Sequence, residues 1–201
     1  NAFNGCVRLG KNDFIMNNCN LINLAEANNC QNTFKYTFGS THNTINTVII
    51  SAGAGDVSDY TDSSGGIVEL KNWKLNDDVN GVDCEGMFAY SYYFDGDVSN
   101  WTITNPNSFY QTFADCWDFK GTGLNSLTIS SPNQIQYSMD SMFLYCFQLG
   151  NGVDINISEG LNSITGWDYT YCSSLKNAFN GCVRLGKNDF IMNNCNLINL
   201  A

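Results

Sequence analysis

The chain has 201 residues, 43% of them hydrophobic and 14% charged, with a formal net charge of −10 at pH 7. An acidic chain lacks the Lys/Arg surface that nucleic-acid phosphates require, so we expect no nucleic-acid partner. No stretch reaches the ~18 consecutive apolar residues of a membrane-spanning helix, so we expect no membrane insertion in this segment.

A long internal repeat divides the chain. Residues 1–25 recur letter for letter as residues 177–201. The unit therefore spans residues 1–176, and residues 177–201 begin the next identical unit. We interpret the chain as part of a longer tandem array. An identical repeat supplies no divergent capping segment, which favours continuation into a fibre.

Within the unit, six short segments carry the period-2 pattern of half-buried strands. Each has a large apolar residue at its first and third positions, between small or polar residues. Spacings of 25 to 35 residues are typical of proteins in which each repeat adds one rung to a parallel sheet. The series restarts at Phe190. The predicted strands lie near residues 13–17, 47–51, 72–76, 100–104, 126–130 and 154–158.

A second motif precedes five of the strands and contains a phenylalanine, as in Phe113-x-x-Cys116-x-x-Phe119. Apolar residues at i, i+3 and i+6 predict a short helical or 3₁₀ turn with one buried face. The predicted fold class is thus a β-rich solenoid of parallel strands, stacked one per rung and joined by these turns. Six rungs make one unit of 176 residues and, at ~4.8 Å per strand, advance about 29 Å.

The same segments carry a resemblance to a known family. Leu70-x-x-Trp73-x-Leu75 and Val98-x-x-Trp101-x-Ile103 match the strand pattern of leucine-rich repeats. Met142-Phe143-Leu-Tyr-Cys146-Phe-Gln-Leu149 resembles BspA-type repeats, and Phe94-Asp-Gly-Asp97-Val-Ser-Asn-Trp101 resembles Mycoplasma-type surface lipoprotein repeats. The resemblance implies a leucine-rich-repeat-like solenoid at the cell surface or outside the cell, with a role in display or adhesion and without catalytic residues.

Four cysteines each follow an aromatic residue by three positions, which predicts one column in the stacked turns. We interpret them as small buried core residues. Disulfide staples between rungs are the alternative, because a separation of ~4.8 Å suits a disulfide. A zinc site is disfavoured, since the sequence has no Cys-x-x-Cys pair. The predicted column consists of Cys116, Cys146, Cys172 and Cys182.

Two further surface features are candidates. Asp95 and Asp97, and also Asp77 and Asp78, bring oxygens close together and could hold calcium on the acidic surface, although solvated turn carboxylates explain them as well. At the strand centres, most outward positions are polar, as at Lys74, Thr102 and Thr128. Bare isoleucines take this position elsewhere, which indicates a patch for lateral contact, or one that its own loops cover. The patch consists of Ile15, Ile49 and Ile191.

The sequence carries no His/Ser/Asp constellation and no metal triad, so we expect neither an enzyme nor a cofactor. The function it favours is the structural repeat of an extracellular or cell-surface filament built from tandem leucine-rich-repeat units. Its main partner is then a further copy of itself, joined end to end and bundled laterally. The alternative is a surface adhesin or ligand-binding module that contacts a host or matrix surface.

Overall fold

The computed structural model describes residues 81–158 and 166–192, together with residues 73–76 and the strands at 14–16, 48–50 and 68–69. The described part of the chain is rich in very short strands, which return at intervals separated by turns. Its single described helix is a 3₁₀ helix, Leu124–Ser126. This helix is not long and apolar enough to cross a membrane.

Thirteen strands of two or three residues occur in the described residues. In chain order they are β1 Phe14–Met16, β2 Val48–Ile50, β3 Val68–Glu69, β4 Lys74–Asn76, β5 Val82–Asp83, β6 Gly96–Asp97, β7 Thr102–Thr104, β8 Pro106–Ser108, β9 Thr128–Ser130, β10 Tyr137–Ser138, β11 Ile155–Asn156, β12 Cys172–Ser174 and β13 Phe190–Ile191.

The strands form four small sheets, and every pairing within them is parallel. The sheet orders are β1-β2-β3-β6, β12-β10-β8-β5, β11-β13 and β4-β7-β9. Parallel partners cannot be joined by a tight hairpin, so the chain must travel through a long connection before it returns. The strand-rich, parallel character predicted from the sequence is thereby confirmed.

Each predicted strand segment contains one of these strands, but they are divided among three sheets. β4, β7 and β9 continue one ladder with Lys74, Thr102 and Thr128 in register. β2 pairs with β3 rather than with β4. Beyond β9, Ile129 bridges Trp167 instead of Ile155. The described residues therefore do not form the single strand ladder per unit that the sequence predicts. Where that ladder would continue, β3 pairs with β2 and Trp167 bridges Ile129 of β9.

A second ladder, β5-β8-β10-β12, lies on another part of each repeat and was not predicted. Val82 pairs with Pro106, and Ser108 pairs with Ser138. Tyr137 then pairs with Cys172. The sequence gives this ladder little signal, because its strands are two or three residues long and lack the apolar alternation of the first set.

Four turn segments, at residues 84–94, 109–119, 139–149 and 175–185, follow the second ladder and carry the phenylalanine motif. They are the predicted turns with one buried face, closed by i→i−3 hydrogen bonds such as Cys116 N–H to Phe113 O (3.1 Å), and they do not extend into helices. Phe113 N–H donates to the Met142 carbonyl of the next turn segment (2.8 Å), whereas Ala114 N–H bonds within its own segment to Gln111. Gln111 and Asp115 have φ of 56° and 57°, a left-handed conformation that interrupts a right-handed helix.

The core contains a column of phenylalanine rings, one from each turn segment. Ring centroids are 5.2 Å apart for Phe88 and Phe113, 5.5 Å for Phe113 and Phe143, and 5.6 Å for Phe143 and Phe179. Offset stacking at this separation is favourable for aromatic pairs. Each ring contacts its column neighbours, so burial of a given turn segment depends on the segments on either side.

Candidate functional site

The structure arranges three of the four predicted cysteines in a column, the cysteine column, beside the phenylalanine column. Cys116, Cys146 and Cys182 are free thiols. Each sulfur lies close to the carbonyl oxygen of the phenylalanine one turn segment earlier. The Sγ–O distances are 3.2 Å from Cys116 to Phe88, 3.0 Å from Cys146 to Phe113 and 3.1 Å from Cys182 to Phe143. These thiols act as weak hydrogen-bond donors within the core.

Cys172 lies elsewhere. It belongs to β12, in register with Tyr137 of β10, and its sulfur is 3.5 Å from the Ser174 carbonyl oxygen. Sequence spacing placed it in the column because Tyr169 precedes it by three residues. Tyr169 instead precedes β12 of the second ladder, so the same spacing places Cys172 in a strand and not in a turn segment. In the turn segment before that of Cys116, Ser91 takes the equivalent position, three residues after Phe88.

Burial suppresses ionisation of the thiols in the cysteine column. It raises the pKa of the Cys116 and Cys146 thiols well above their usual value, mainly through desolvation. The half-buried Cys182 has its pKa raised to about 12 by the same cause. Because a thiolate is the form that attacks electrophiles and binds metals, the column is suited to packing and not to nucleophilic or metal chemistry near pH 7.

The candidate lateral patch is only partly brought together. Ile15 and Ile49 are register partners in β1 and β2, although their side chains lie outside the described residues. Ile191 is half-buried in β13, where its register partner is Asn156. Ile191 repeats Ile15 in the second copy of the duplicated segment, so these two positions are the same place in successive units.

The candidate calcium ligands have other partners. Asp95 forms an ion pair with Lys120, whose backbone N–H also donates to Asp95 Oδ1. Asp97 accepts hydrogen bonds from the backbone N–H and hydroxyl of Ser99. Asp77 and Asp78 lie outside the described residues. Within the described ranges, no three His, Cys, Asp or Glu side chains are grouped so as to hold a metal ion.

A groove lined mainly by hydroxyl-bearing residues crosses the outward face of β7 and β9. Ile103 and Ile129 are buried, so the residues on either side of each point outward. The in-register pairs are Thr102 with Thr128 and Thr104 with Ser130. Strand geometry sets these hydroxyl-bearing residues in a grid of ~4.8 Å across strands and about 6.6 Å along each strand.

One buried carboxylate closes this groove. Ile129 bridges Trp167, which places Asp168 beside the end of β9. Ser131 and Pro132 complete the lining of a cavity of about 440 Å³. Asp168 is only 7% exposed. Its Oδ1 accepts the Thr170 N–H at 2.9 Å and its Oδ2 the Ser131 N–H at 3.4 Å.

Sequence reasoning identified the outward threonines but missed Asp168. A signal was present, since the buried Trp167 followed by a polar residue matches the pairs Ile103-Thr104 and Ile129-Ser130. The predicted strand pattern does not include Trp167, which forms a single bridge rather than a strand. Its indole Nε1 is buried and has no hydrogen-bond partner among the described residues.

Comparisons with family models, with curated proteins and with solved structures find no match to this chain. The resemblance to BspA-type repeats therefore rests on the residue patterns alone.

Proposed function

We propose that this chain is the structural repeat of an extracellular or cell-surface filament, in which tandem leucine-rich-repeat-like units form one continuous β-solenoid. The observation that carries the proposal is the pairing of the duplicated segment. Phe14 and Ile15 recur as Phe190 and Ile191. In the first copy the segment pairs with β2, and in the second copy it pairs with β11.

These two pairings are compatible with each other. In the first copy, Ile15 is in register with Ile49 of the strand that follows it. In the second copy, Ile191 is in register with Asn156 of the strand that precedes it. A strand has two hydrogen-bonding edges, so one copy could hold both partners at once. The strand order β11, duplicated strand, β2 would then join the end of one unit to the start of the next within one sheet.

Stacking between neighbours supports the same proposal. Hydrogen bonds from one turn segment to the next recur along the described chain: Gly86 N–H to Tyr110 O at 2.8 Å, Gln111 N–H to Asp140 O at 3.1 Å, and Ser141 N–H to Lys176 O at 2.9 Å. In repeat proteins of this kind each repeat contacts only its neighbours, so length can increase without a new core design.

The last described turn segment also favours continuation. Phe179 and Leu185 of this segment, and Phe190 of the following strand β13, pack against the core but stay partly exposed. Unburied apolar surface at the end of a stack is the surface that a further repeat would cover. The net charge of −10 would keep neighbouring rods apart at low salt, which favours growth along the axis. Location outside the cell follows from the family resemblance.

Electron microscopy of chains with one, two and four units tests the proposal. We expect rods of constant width whose length increases by roughly 29 Å for each added unit. As a junction variant, Ile191→Pro removes a backbone donor from the strand that the proposal pairs on both edges. Rods that carry it should bend or break at that junction, whereas the unaltered rods should not. Separate globules joined by flexible links in the unaltered four-unit chain would refute the filament.

A further inference from the structure

The groove on the outward face of β7 and β9 has the chemistry of a ligand site. Its cavity of about 440 Å³ lies within the range of small-molecule sites. Five hydroxyl-bearing residues line it. A hydroxyl can both donate and accept a hydrogen bond, although those of Thr128 and Ser131 already donate to the Trp101 and Ile135 carbonyls. The methyl or methylene groups of the five residues and Pro132 add apolar contact. The groove thus presents mixed donors and acceptors on an apolar floor.

The charge of the lining limits what can bind. Among the described lining residues Asp168 is the single charged side chain, and its carboxylate would repel an anionic ligand. A lone divalent cation prefers six or more oxygen ligands, with several carboxylates. A purely apolar ligand would displace water from the acceptor sites of the Asp168 carboxylate that the two backbone N–H groups leave open, which is costly. A neutral ligand with many hydroxyl groups meets none of these objections.

We infer that this groove binds a neutral sugar residue. Asp168 accepts hydrogen bonds from ligand hydroxyls, while the hydroxyls of Thr102 and Ser130 exchange hydrogen bonds with the others. The Thr128 hydroxyl, which donates to the Trp101 carbonyl, accepts one. Asp168 is positioned for this task, because two backbone N–H groups fix its orientation. A carboxylate has about four lone-pair sites, so these two bonds leave acceptor capacity.

The inference does not rest on the proposed filament, since the groove is complete within one unit. If the filament also forms, the groove recurs in every unit. Weak binding at each site would then add up along a polysaccharide chain through high effective concentration. None of the described lining residues is aromatic, so we expect a dissociation constant of about 1 mM or weaker for a single sugar.

Saturation-transfer NMR on the 201-residue chain tests the inference with methyl glycosides of glucose, galactose and mannose. We expect transfer to at least one of them and none to glucuronate, which is anionic. Asp168→Asn keeps the size of the side chain and replaces one acceptor by a donor. It should weaken binding about tenfold or more, because a buried acceptor is lost.

Thr102→Val removes one exposed hydroxyl with little change in shape, and should weaken binding severalfold while the fold stays intact. Thr122→Val is the matched control outside the groove and should bind as the unaltered chain does. Absence of transfer from all three neutral glycosides would overturn the inference. So would preferential binding of glucuronate, or unchanged binding by both Asp168→Asn and Thr102→Val. None of these results would affect the length of the multi-unit rods.

Discussion

Two turn segments with the same motif differ sharply in burial. In the segment at residues 109–119, Phe113, Cys116 and Phe119 are at most 1% exposed. In the segment at residues 175–185, the corresponding Phe179, Cys182 and Leu185 are only partly buried. Phe113 stacks between two rings of the column, whereas Phe179 stacks on Phe143 and meets Phe190 at its edge.

The difference shows that a turn segment does not bury its own motif. The chain traces similar turns in both segments, since Cys116 N–H bonds to Phe113 O at 3.1 Å and Cys182 N–H bonds to Phe179 O at 3.2 Å. Neighbouring segments supply the rest of the burial. Stability should therefore depend on position in the stack, as expected for repeat proteins with nearest-neighbour coupling.

The largest expected effect comes from truncating the phenylalanine column. Phe113→Ala should lower the free energy of unfolding by about 3–5 kcal/mol, because it empties a fully packed site. Phe179→Ala should cost about 1–2 kcal/mol in the 201-residue chain, since less apolar surface is lost. In a two-unit chain, Phe179→Ala should cost as much as Phe113→Ala. Urea denaturation measures all three values.

Phe113→Leu provides a milder change if Phe113→Ala does not fold, and it should still cost more than Phe179→Leu. Equal costs for the two positions in the 201-residue chain would contradict the role of neighbours. The same holds if adding a second unit leaves the cost of Phe179→Ala unchanged.

A second effect, which depends on pH, should appear under alkaline conditions through the cysteine column. Burial raises the pKa of Cys182 from 9.0 to about 12, so the folded chain keeps a proton that the unfolded chain loses. The stability that this thiol contributes is complete below pH 9 and is lost as pH rises towards 12. The slope is about 1.4 kcal/mol per pH unit for each such thiol.

Urea denaturation under reducing conditions from pH 8 to pH 11 measures this slope. Cys116→Ala and Cys146→Ala should each make it shallower, since burial raises the pKa of both thiols well above the usual value. Ser91→Ala, at the equivalent position in the first turn segment, is the matched control and should leave the slope unaltered. A slope that none of the cysteine variants changes would contradict the burial of the thiols.

Much of the strand pattern could be predicted because it depends on local alternation. Ile103 and Ile129 are buried between outward-facing residues, as the period-2 pattern requires. The partners of each strand could not be predicted in the same way. Only the folded register shows that β2 lies beside Val68 or that Ile129 bridges Trp167.

The candidate sites show the same division. The spacing of Cys116, Cys146 and Cys182 after phenylalanine predicted a column, because one motif repeats there. Cys172 shares the spacing but lies in β12, a strand without the apolar alternation that predicted β7 and β9. Asp168 enters the groove through a long-range bridge, which no local pattern encodes.

Structure determination of a two-unit chain tests the continuity of the stack most directly, at the junction between the units. Our account predicts that Phe190–Ile191 is paired on both edges, with β11 on one side and the second unit's repeat of β2 on the other. Ile191 would then lie ~4.8 Å from the residue that repeats Ile49, Cα to Cα. An unpaired outer edge on that strand, with the second unit folded as a separate body, would contradict the account.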